Sequence, residues 1–319
     1  MFQYSVYGVG LSSDIALPEL ERLTTALHTR QISINVRLRD PGTGDPVAAR
    51  WFLRSTFSNS DGLALCGKIE GGYLLRYPGF ADFIVDSAGR ELRCTHVEPG
   101  TSPQTLRHLL LDRVLPLVLN LTGHDVLHAT AVVTPGGVCA FIGPAGAGKS
   151  TLAASFAAAG YTVFCDDCLA VVVNDGILCT PGYPGVRLWS DSFSVLGSQL
   201  ARVSNVAATN SKFRILSDSG PFPDGRHPLI ATYCITRAAD GRTALSTVRV
   251  ERLIGCEAFM ELASSAYVLD VTEQSTLQRH FRFIERLVAG VRVNRLLLPN
   301  DFAFLPAARR IILSELESI

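Results

Sequence analysis

The chain has 319 residues, 47% of them hydrophobic, and its 29 Lys and Arg residues balance 29 Asp and Glu residues. This length suffices for one large domain or two smaller ones with ordinary hydrophobic cores. The balanced charge argues against a nucleic-acid binder, which needs a basic surplus. The start lacks a signal-peptide pattern, and the most apolar stretch, Leu109 to Leu121, is too short to span a bilayer. We therefore expect a cytoplasmic protein that binds neither nucleic acid nor membrane.

Residues 1 to about 98 have the pattern of a β-rich domain. Gly71-Gly72 and the segment Asp86 to Gly89 are typical of hairpin turns between short strands. A helix is predicted near Leu17–His28, because Pro18 suits a first helical turn. The predicted strands are Ile32–Leu38, Arg50–Ser55, Leu63–Ile69, Tyr73–Tyr77, Phe80–Val85 and Leu92–Val97.

A long helix is predicted next, and it connects the β-rich part to the rest of the chain. Ser102 suits the N-cap, Pro103 the first helical position, and Gly123 the end. Pro116 should bend this helix, because proline lacks a backbone donor. We predict a β-rich domain over residues 1–100 and a second domain over 101–319, in which 101–123 is the connecting helix.

From Val126 onward, predicted strands alternate with predicted helices. Such alternation indicates an α/β fold with a mainly parallel or mixed sheet and helices packed on it. The predicted strands are Leu127–Val133, Val138–Ile142, Tyr161–Cys165, Leu169–Val173, Leu229–Thr236, Ala244–Val250 and Val291–Leu298, and the predicted helices run to Ala159, near Cys256–Ala263, near Leu277–Ala289 and from Pro306.

The segment Gly143–Thr151 is a complete G-x-x-x-x-G-K-S loop between a predicted strand and a predicted helix. Its glycines allow backbone N–H groups to converge on phosphate oxygens, and the helix N-terminus adds partial positive charge. Lys149 should reach the β- and γ-phosphates, and Ser150 should complete Mg²⁺ coordination. We predict that a nucleoside triphosphate binds to Gly143, Ala145, Gly146, Ala147, Gly148, Lys149, Ser150 and Thr151.

Two adjacent carboxylates, Asp166 and Asp167, follow the predicted strand Tyr161–Cys165. A carboxylate at the end of a strand beside the phosphate loop can hold Mg²⁺, and a second one can accept the proton of an attacking hydroxyl. The pair is therefore predicted to divide these two tasks. The acids also lie within Cys165–Cys168, formally a C-x-x-C motif. No second ligand pair has zinc-site spacing, so we interpret all eight scattered cysteines as structural thiols.

Three segments together resemble the catalytic domain of HPr kinase/phosphorylase, a bacterial P-loop serine kinase related to phosphoenolpyruvate carboxykinase. They are Leu127-His128-Ala129-Thr130, the strand and loop from Gly137 to Thr151, and Gly160 through Asp167. The resemblance implies that fold for the second domain, with ATP and Mg²⁺ as cofactors. By position, Asp166 resembles the general base, His128 the residue that supports it, and Asp167 and Ser150 the Mg²⁺ ligands. Lys149 joins the catalytic set.

The segment Pro181–Trp189 departs from the bifunctional enzymes, because it lacks their phosphorylase signature. It resembles instead the HPr-kinase-like proteins of lasso-peptide and other peptide-maturation clusters, which phosphorylate a C-terminal serine of a precursor peptide. Arg187 and Lys212 suit a peptide carboxylate or a γ-phosphate in that setting.

The favoured function is thus a serine kinase that acts on a peptide or small protein. A small-metabolite kinase of the shikimate or gluconate type is the first alternative. In those enzymes a helix follows the acidic residues, whereas here Leu169–Val173 is a predicted strand. A non-catalytic nucleotide-binding regulator is the second alternative. The acceptor, the nucleotide base and the formation of a homo-oligomer stay open.

Overall fold

A computed structural model describes residues 1–21, 33–38, 48–56, 63–197, 203–205, 212–215, 222–237 and 246–317. The described residues form two compact units. The first takes its residues from Met1–His124, Asn205–Ser211 and Tyr267–Leu277, and the second from Asp125–Ser204, Lys212–Ala266 and Gln278–Ile319. The helical segment before residue 124 thus groups with the first unit, while the boundary predicted at residue 100 stays a prediction.

The first unit contains a mixed sheet of eight strands in the order β1-β2-β3-β8-β7-β6-β5-β4. Strand β3 pairs in parallel with β2 and β8, and the other neighbours are antiparallel. Its strands are β1 (Phe2–Val6), β2 (Val9–Ser13), β3 (Ser33–Leu38), β4 (Arg50–Thr56), β5 (Leu63–Ile69), β6 (Gly72–Tyr77), β7 (Ala81–Asp86) and β8 (Glu91–Val97).

The sequence predicted the last six of these strands to within about two residues at each end. Strands β1 and β2 were not predicted, although they form a tight hairpin in which Tyr7 and Gly8 both have positive φ. Of the helix predicted near Leu17–His28, the described part is a short 3-10 turn, Pro18–Leu20, and residues 22–28 lie outside the described residues.

The predicted connecting helix consists of α1 (Pro103–Leu109), one π-helical turn (Leu110–Val114) and α2 (Leu115–Leu121). The Ser102 hydroxyl accepts the N–H of Thr105 at 3.1 Å, which confirms the predicted N-cap. The π-helical turn ends two residues before Pro116, where the proline ring removes one helical donor and crowds the preceding turn. The bend predicted at Pro116 stays a prediction.

The second unit has the α/β character that the sequence predicted. Its strands are β9 (Asp125–Leu127), β10 (Thr130–Thr134), β11 (Gly137–Ile142), β12 (Val163–Cys165), β13 (Leu169–Val173), β14 (Ile177–Thr180), β15 (Val186–Trp189), β16 (Val203–Asn205), β17 (Lys212–Ile215), β18 (His227–Arg237), β19 (Arg249–Arg252) and β20 (Arg292–Leu298). Its helices are α3 (Lys149–Ala157), α4 (Ser190–Leu196), α5 (Gly255–Ser264), α6 (Gln274–Gly290), whose first turn belongs to the first unit, and α7 (Leu305–Leu316).

The main sheet of this unit is mixed. Its order is β12-β10-β11-β18-β14-β13-β9, and β20 pairs with both β18 and β19. Strands β11, β18 and β20 run parallel, so their carboxyl ends meet at one edge, where ligands commonly bind in open α/β sheets. A smaller sheet has the order β15-β17-β16. The predicted strand Leu127–Val133 is broken at His128 and Ala129, where the chain passes from β9 to β10.

Apolar side chains of β11 alternate between two faces of the main sheet, as the two-residue period of a strand requires. Cys139 and Phe141 pack on one face with Phe156 of α3, and Val138, Ala140 and Ile142 pack on the other with residues of α5 and α6. The strand that leads into the phosphate loop is therefore buried on both sides. Within the described residues, no helix is long and apolar enough to cross a membrane.

Candidate functional site

The loop Gly143–Gly148 connects β11 to α3, as the sequence predicted. Gly143, Gly146 and Gly148 have φ values of 137°, 81° and 101°, which residues with a Cβ rarely adopt. Helix α3 then begins at Lys149. Ala145 lies at the exposed tip of the loop, whereas Ala147 is buried beneath it. The backbone therefore curls around the N-terminus of α3, where an anion is stabilised by the helix dipole.

The Lys149 side chain turns back into this loop instead of extending into solvent. Its residue is only 5% exposed, and its Nζ donates to the carbonyl oxygens of Gly143 at 2.8 Å and Pro144 at 3.2 Å. These two hydrogen bonds hold the ammonium group against the backbone of the loop. Thr151, in the first turn of α3, is buried and its hydroxyl lies 3.0 Å from the Ser192 hydroxyl of α4.

Arg237 supports the same loop, and the sequence analysis did not identify it. Its Nε donates to the Ala147 carbonyl at 2.9 Å, and its Nη1 contacts Asn300 Oδ1. Burial lowers the pKa of this guanidinium, against the opposing effect of Asp191. Because β18 lies parallel to β11, Arg237 at its carboxyl end reaches the loop that leaves β11. Only that long-range pairing, which no local pattern reveals, brings the two together.

Asp166 is the centre of a hydrogen-bond network near the N-terminus of α3. Its Oδ1 accepts the hydroxyls of Thr130 at 2.6 Å and Ser150 at 2.8 Å. Its Oδ2 accepts Arg187 N–H at 2.9 Å and Arg187 Nε–H at 3.3 Å. The side chain is 3% exposed. Four donors thus occupy the roughly four acceptor positions of one buried carboxylate. Thr130 was quoted in the sequence motif but not recognised as a site residue.

Asp167 has a different environment from its neighbour. Its φ of 63° places it in the left-handed region, so the backbone turns sharply at the second acid. Its Oδ2 lies 3.1 Å from Arg187 Nη2, and its Oδ1 lies 3.5 Å from His128 Nε2. Its side chain is 17% exposed. Asp167 is therefore the acid that solvent can reach.

The structure connects Ser150, Asp166, Asp167 and His128 through Arg187 and their own contacts, but it pairs them differently from the resemblance. The resemblance implied that His128 supports Asp166 and that Ser150 and Asp167 share a metal ion. In the structure, Ser150 is hydrogen-bonded to Asp166, and His128 lies beside Asp167. Arg187 contacts both acids, and its predicted contact with substrate stays a prediction. The backbone turns at Asp167, whose φ of 63° is in the left-handed region, and the two neighbouring acids have different partners.

Lys212, the other residue predicted to contact substrate, is the first residue of β17. Its Nζ is 4.6 Å from the centre of the Trp189 ring, a distance typical of a cation–π contact. Trp189 and Lys212 are paired residues of β15 and β17. Neither of the two lysines predicted to bind ligand, Lys149 and Lys212, is thus a fully solvated surface charge.

The thiols of the C-x-x-C motif behave as structural groups. Cys165 and Cys168 are both buried, and burial raises the pKa of the Cys165 thiol. A reactive or metal-binding cysteine needs the thiolate form, which such burial disfavours. Among the described residues, no cluster of three or more His, Cys, Asp or Glu side chains could hold a metal ion.

Comparison with solved structures gives a match to the Hpr(Ser) kinase/phosphatase from Coxiella burnetii. The match has 13% sequence identity and a TM-score of 0.31, and it covers 60% of this chain and 97% of that chain. A likeness at this TM-score supports no conclusion about function. No family model and no curated protein matches the chain.

Proposed function

We propose that this protein is an ATP- and Mg²⁺-dependent kinase that phosphorylates a serine hydroxyl of a peptide or small protein. One observation carries the proposal: the Ser150 hydroxyl at the start of α3 donates to Asp166 at 2.8 Å, beside a second, accessible carboxylate. A phosphate loop joined to an acid in this way is the arrangement that phosphoryl transfer requires, because the catalysis consists of positioning and charge stabilisation.

The nucleotide is expected to bind with its phosphates in the curl of Gly143–Gly148. There the backbone N–H groups and the Lys149 ammonium stabilise the charge of the β- and γ-phosphates. Lys149 would exchange its contacts with the Gly143 and Pro144 carbonyls for phosphate oxygens. Arg237 donates a hydrogen bond to the Ala147 carbonyl, and this contact keeps the loop in the conformation that binds phosphate.

The two acids are assigned opposite roles to those that the resemblance implied. Asp166 is fully occupied by donors, so we assign it to holding the Ser150 hydroxyl, whose oxygen can bind the metal, and Asp167 to accepting a proton. The acceptor hydroxyl oxygen attacks the γ-phosphorus, the bond from that phosphorus to the β–γ bridging oxygen breaks, and ADP leaves. The hydroxyl proton passes to an Asp167 carboxylate oxygen. Arg187 and His128 keep that carboxylate oriented.

The residues present fit a magnesium ion. Mg²⁺ prefers hard oxygen ligands and commonly takes several of them from phosphates and water, and the Ser150 hydroxyl oxygen, oriented by its hydrogen bond to Asp166, offers one from the protein. When bound, the ion neutralises charge on the β- and γ-phosphate oxygens. Serine as the acceptor, and the C-terminal serine of a lasso-type precursor peptide in particular, rest on the sequence resemblance alone.

The test is phosphate transfer from ATP to pools of synthetic serine peptides, followed by mass spectrometry for one added phosphate. Asp167→Asn should lower the transfer rate by about 10²–10⁴-fold, the usual contribution of a general base, and leave ATP affinity within a few-fold. Asp166→Asn should instead raise the Mg²⁺ concentration needed for half-maximal rate. Asp175→Asn, in an exposed turn, is the matched control and should keep the wild-type rate.

Two results would contradict the proposal. If Asp167→Asn retains the wild-type rate while Asp166→Asn loses it at saturating Mg²⁺, the assignment of roles is wrong. If ATP binds but no peptide accepts phosphate, the chain is a nucleotide-binding regulator, and transfer to small polyols or sugar acids instead would identify a metabolite kinase.

A further inference from the structure

Three neighbouring strands of the main sheet place polar side chains side by side on the face that α7 covers. Strand β20 lies between β18 and β19, and its Asn294 is opposite Tyr233 on one side and Arg252 on the other. Directly opposed residues point to the same side of a sheet, and so do residues two apart along one strand, such as Arg292 and Asn294. Tyr233 belongs to the same core as Ile312 of α7, which identifies the face. We call these four residues the donor cluster: Tyr233, Arg252, Arg292 and Asn294.

The two inner members of the donor cluster are buried polar groups without hydrogen bonds. Tyr233 is 0% exposed and Asn294 is 2% exposed. Within the described part of the chain, neither the Tyr233 hydroxyl nor the side-chain nitrogen of Asn294 has a hydrogen-bond partner. Leaving a buried donor unpaired is costly, so proteins nearly always supply a partner for it. The sheet thus contains two buried donors for which the described residues supply no acceptor.

The two outer members of the cluster are guanidinium groups that repel each other. Arg292 is already held by Glu315 of α7, because its Nη1 donates to the Glu315 carbonyl at 3.1 Å and lies 3.8 Å from the carboxylate. Arg252 is exposed. Desolvation and the positive charge of Arg292 lower the pKa of the Arg252 guanidinium, and Tyr233 opposes this effect. An anion between the two arginines would offset the repulsion.

The buried and the charged members of the cluster lie close enough to affect one another. Burial raises the pKa of Tyr233, Cys139 and Glu315 raise it further, and Arg292 and Asn294 lower it. The hydroxyl, the amide and the guanidinium groups therefore surround a common position.

The chemistry of these groups favours an oxyanion at that position. A tyrosine hydroxyl, an asparagine amide and two guanidinium groups all offer N–H or O–H donors. Carboxylate and phosphate oxygens only accept hydrogen bonds, and those from a guanidinium are strengthened by its charge. A water molecule must donate as well as accept, and it leaves the charge of the arginines uncompensated.

We propose that the donor cluster is a binding site for a small oxyanion, a phosphate or carboxylate group. The buried Tyr233 hydroxyl and Asn294 amide hold the anion from within the sheet, and the exposed Arg252 binds it from the solvent side. Tyr233 precedes Arg237, which contacts the phosphate loop, by four residues, and four residues of extended strand span about 13 Å. The site is therefore separate from the phosphate loop and does not depend on the proposed kinase function.

The test measures binding of inorganic phosphate and of acetate by titration calorimetry at constant ionic strength. The full chain carries Lys149→Ala throughout, which weakens anion binding at the phosphate loop. Arg252→Gln should lower the affinity of the anion that binds by about tenfold or more, because a charge-assisted hydrogen bond is lost. Arg249→Gln is the matched control. It removes an equal charge from an exposed position on the opposite face of β19, where Arg249 pairs with Leu297, and should keep the affinity.

Tyr233→Phe separates a binding role of the buried hydroxyl from a structural one. It should weaken anion binding and leave the free energy of unfolding in anion-free buffer unchanged or higher, because the hydroxyl makes no hydrogen bond within the described residues. Lower stability with unchanged anion affinity would overturn the site. Binding of neither phosphate nor acetate, or equal affinities in Arg252→Gln and Arg249→Gln, would overturn it as well. Tighter binding of phosphate would support a phosphate ligand, and tighter binding of acetate a carboxylate ligand.

Discussion

Gly148 offers the sharpest test of how the phosphate loop is held. Its φ is 101°, and a Cβ built there would lie 2.6 Å from Nη2 of Arg237. Gly146 also has a positive φ, 81°, but nothing lies within 4 Å of the position that its Cβ would take. Gly146→Ala therefore tests the effect of backbone strain alone. Gly148→Ala tests backbone strain together with the steric conflict with Arg237.

The expected magnitudes follow from these contacts. A left-handed residue with a Cβ costs about 1–2 kcal/mol, so Gly146→Ala should lower the free energy of unfolding by about that amount. In Gly148→Ala, Arg237 must also move and lose its hydrogen bond to the Ala147 carbonyl. A hydrogen bond of a charged group contributes about 1.5–3 kcal/mol, so the total should be about 2.5–5 kcal/mol.

A double-mutant cycle isolates the second contribution. In an Arg237→Ala background the conflict is absent, so Gly148→Ala should cost only about 1–2 kcal/mol, the strain alone. Urea unfolding followed by Trp189 fluorescence in a Trp51→Phe background reports on the second unit, because Trp51 belongs to the first. Equal costs for the two glycines, or an unchanged cost of Gly148→Ala without Arg237, would refute the role assigned to Arg237.

Three further predictions concern stability and reactivity. Burial alone would raise the pKa of Asp270, but hydrogen bonds from Lys68, Thr272 and Tyr73 outweigh it and lower that pKa from 3.8 to about 2. Folding therefore favours the charged form of Asp270. This preference should contribute about 2 kcal/mol to the free energy of unfolding above pH 4, and the contribution should be lost as the pH falls towards 2. Acid unfolding of Asp270→Asn should lack this pH-dependent contribution. Iodoacetamide at pH 8 should label one cysteine per chain, Cys256, since the other seven are buried, and labelling that persists in Cys256→Ser would contradict this. Ser102→Ala should cost about 1 kcal/mol through the lost N-cap and Ser102→Gly only a few tenths, and equal thermal shifts would argue against the cap.

The conformation of the loop Gly143–Gly148 could be predicted from sequence, because it depends on residues that are adjacent in the chain. Gly143, Gly146 and Gly148 encode the curl by residue type, and the flanking strand and helix follow from apolar runs on either side. The same holds for most strands of both units, whose ends were placed within a few residues. Predicting a contiguous motif of this kind does not require knowing which strands pair.

The pairing within the site could not be predicted, because it depends on one backbone angle and on distant strands. Nothing in the letters Asp166-Asp167 indicates that the second acid takes a left-handed conformation, yet this angle decides which acid meets Ser150 and which meets His128. Arg237 likewise reaches its loop only through the parallel alignment of β18 with β11, in which Ile142 lies opposite Cys234.

The division of labour between the two acids follows from their surroundings and not from their type. Two adjacent carboxylates would repel each other if both were equally buried, and Arg187, which contacts both, reduces that repulsion. Asp166 has its acceptor positions filled by Thr130, Ser150 and Arg187, and so it organises the site. Asp167, held at one side by Arg187 and near His128, keeps the access that a proton acceptor needs. In the proposed kinase, contact with a single arginine would thus allow Asp166 to orient Ser150 while Asp167 accepts the proton.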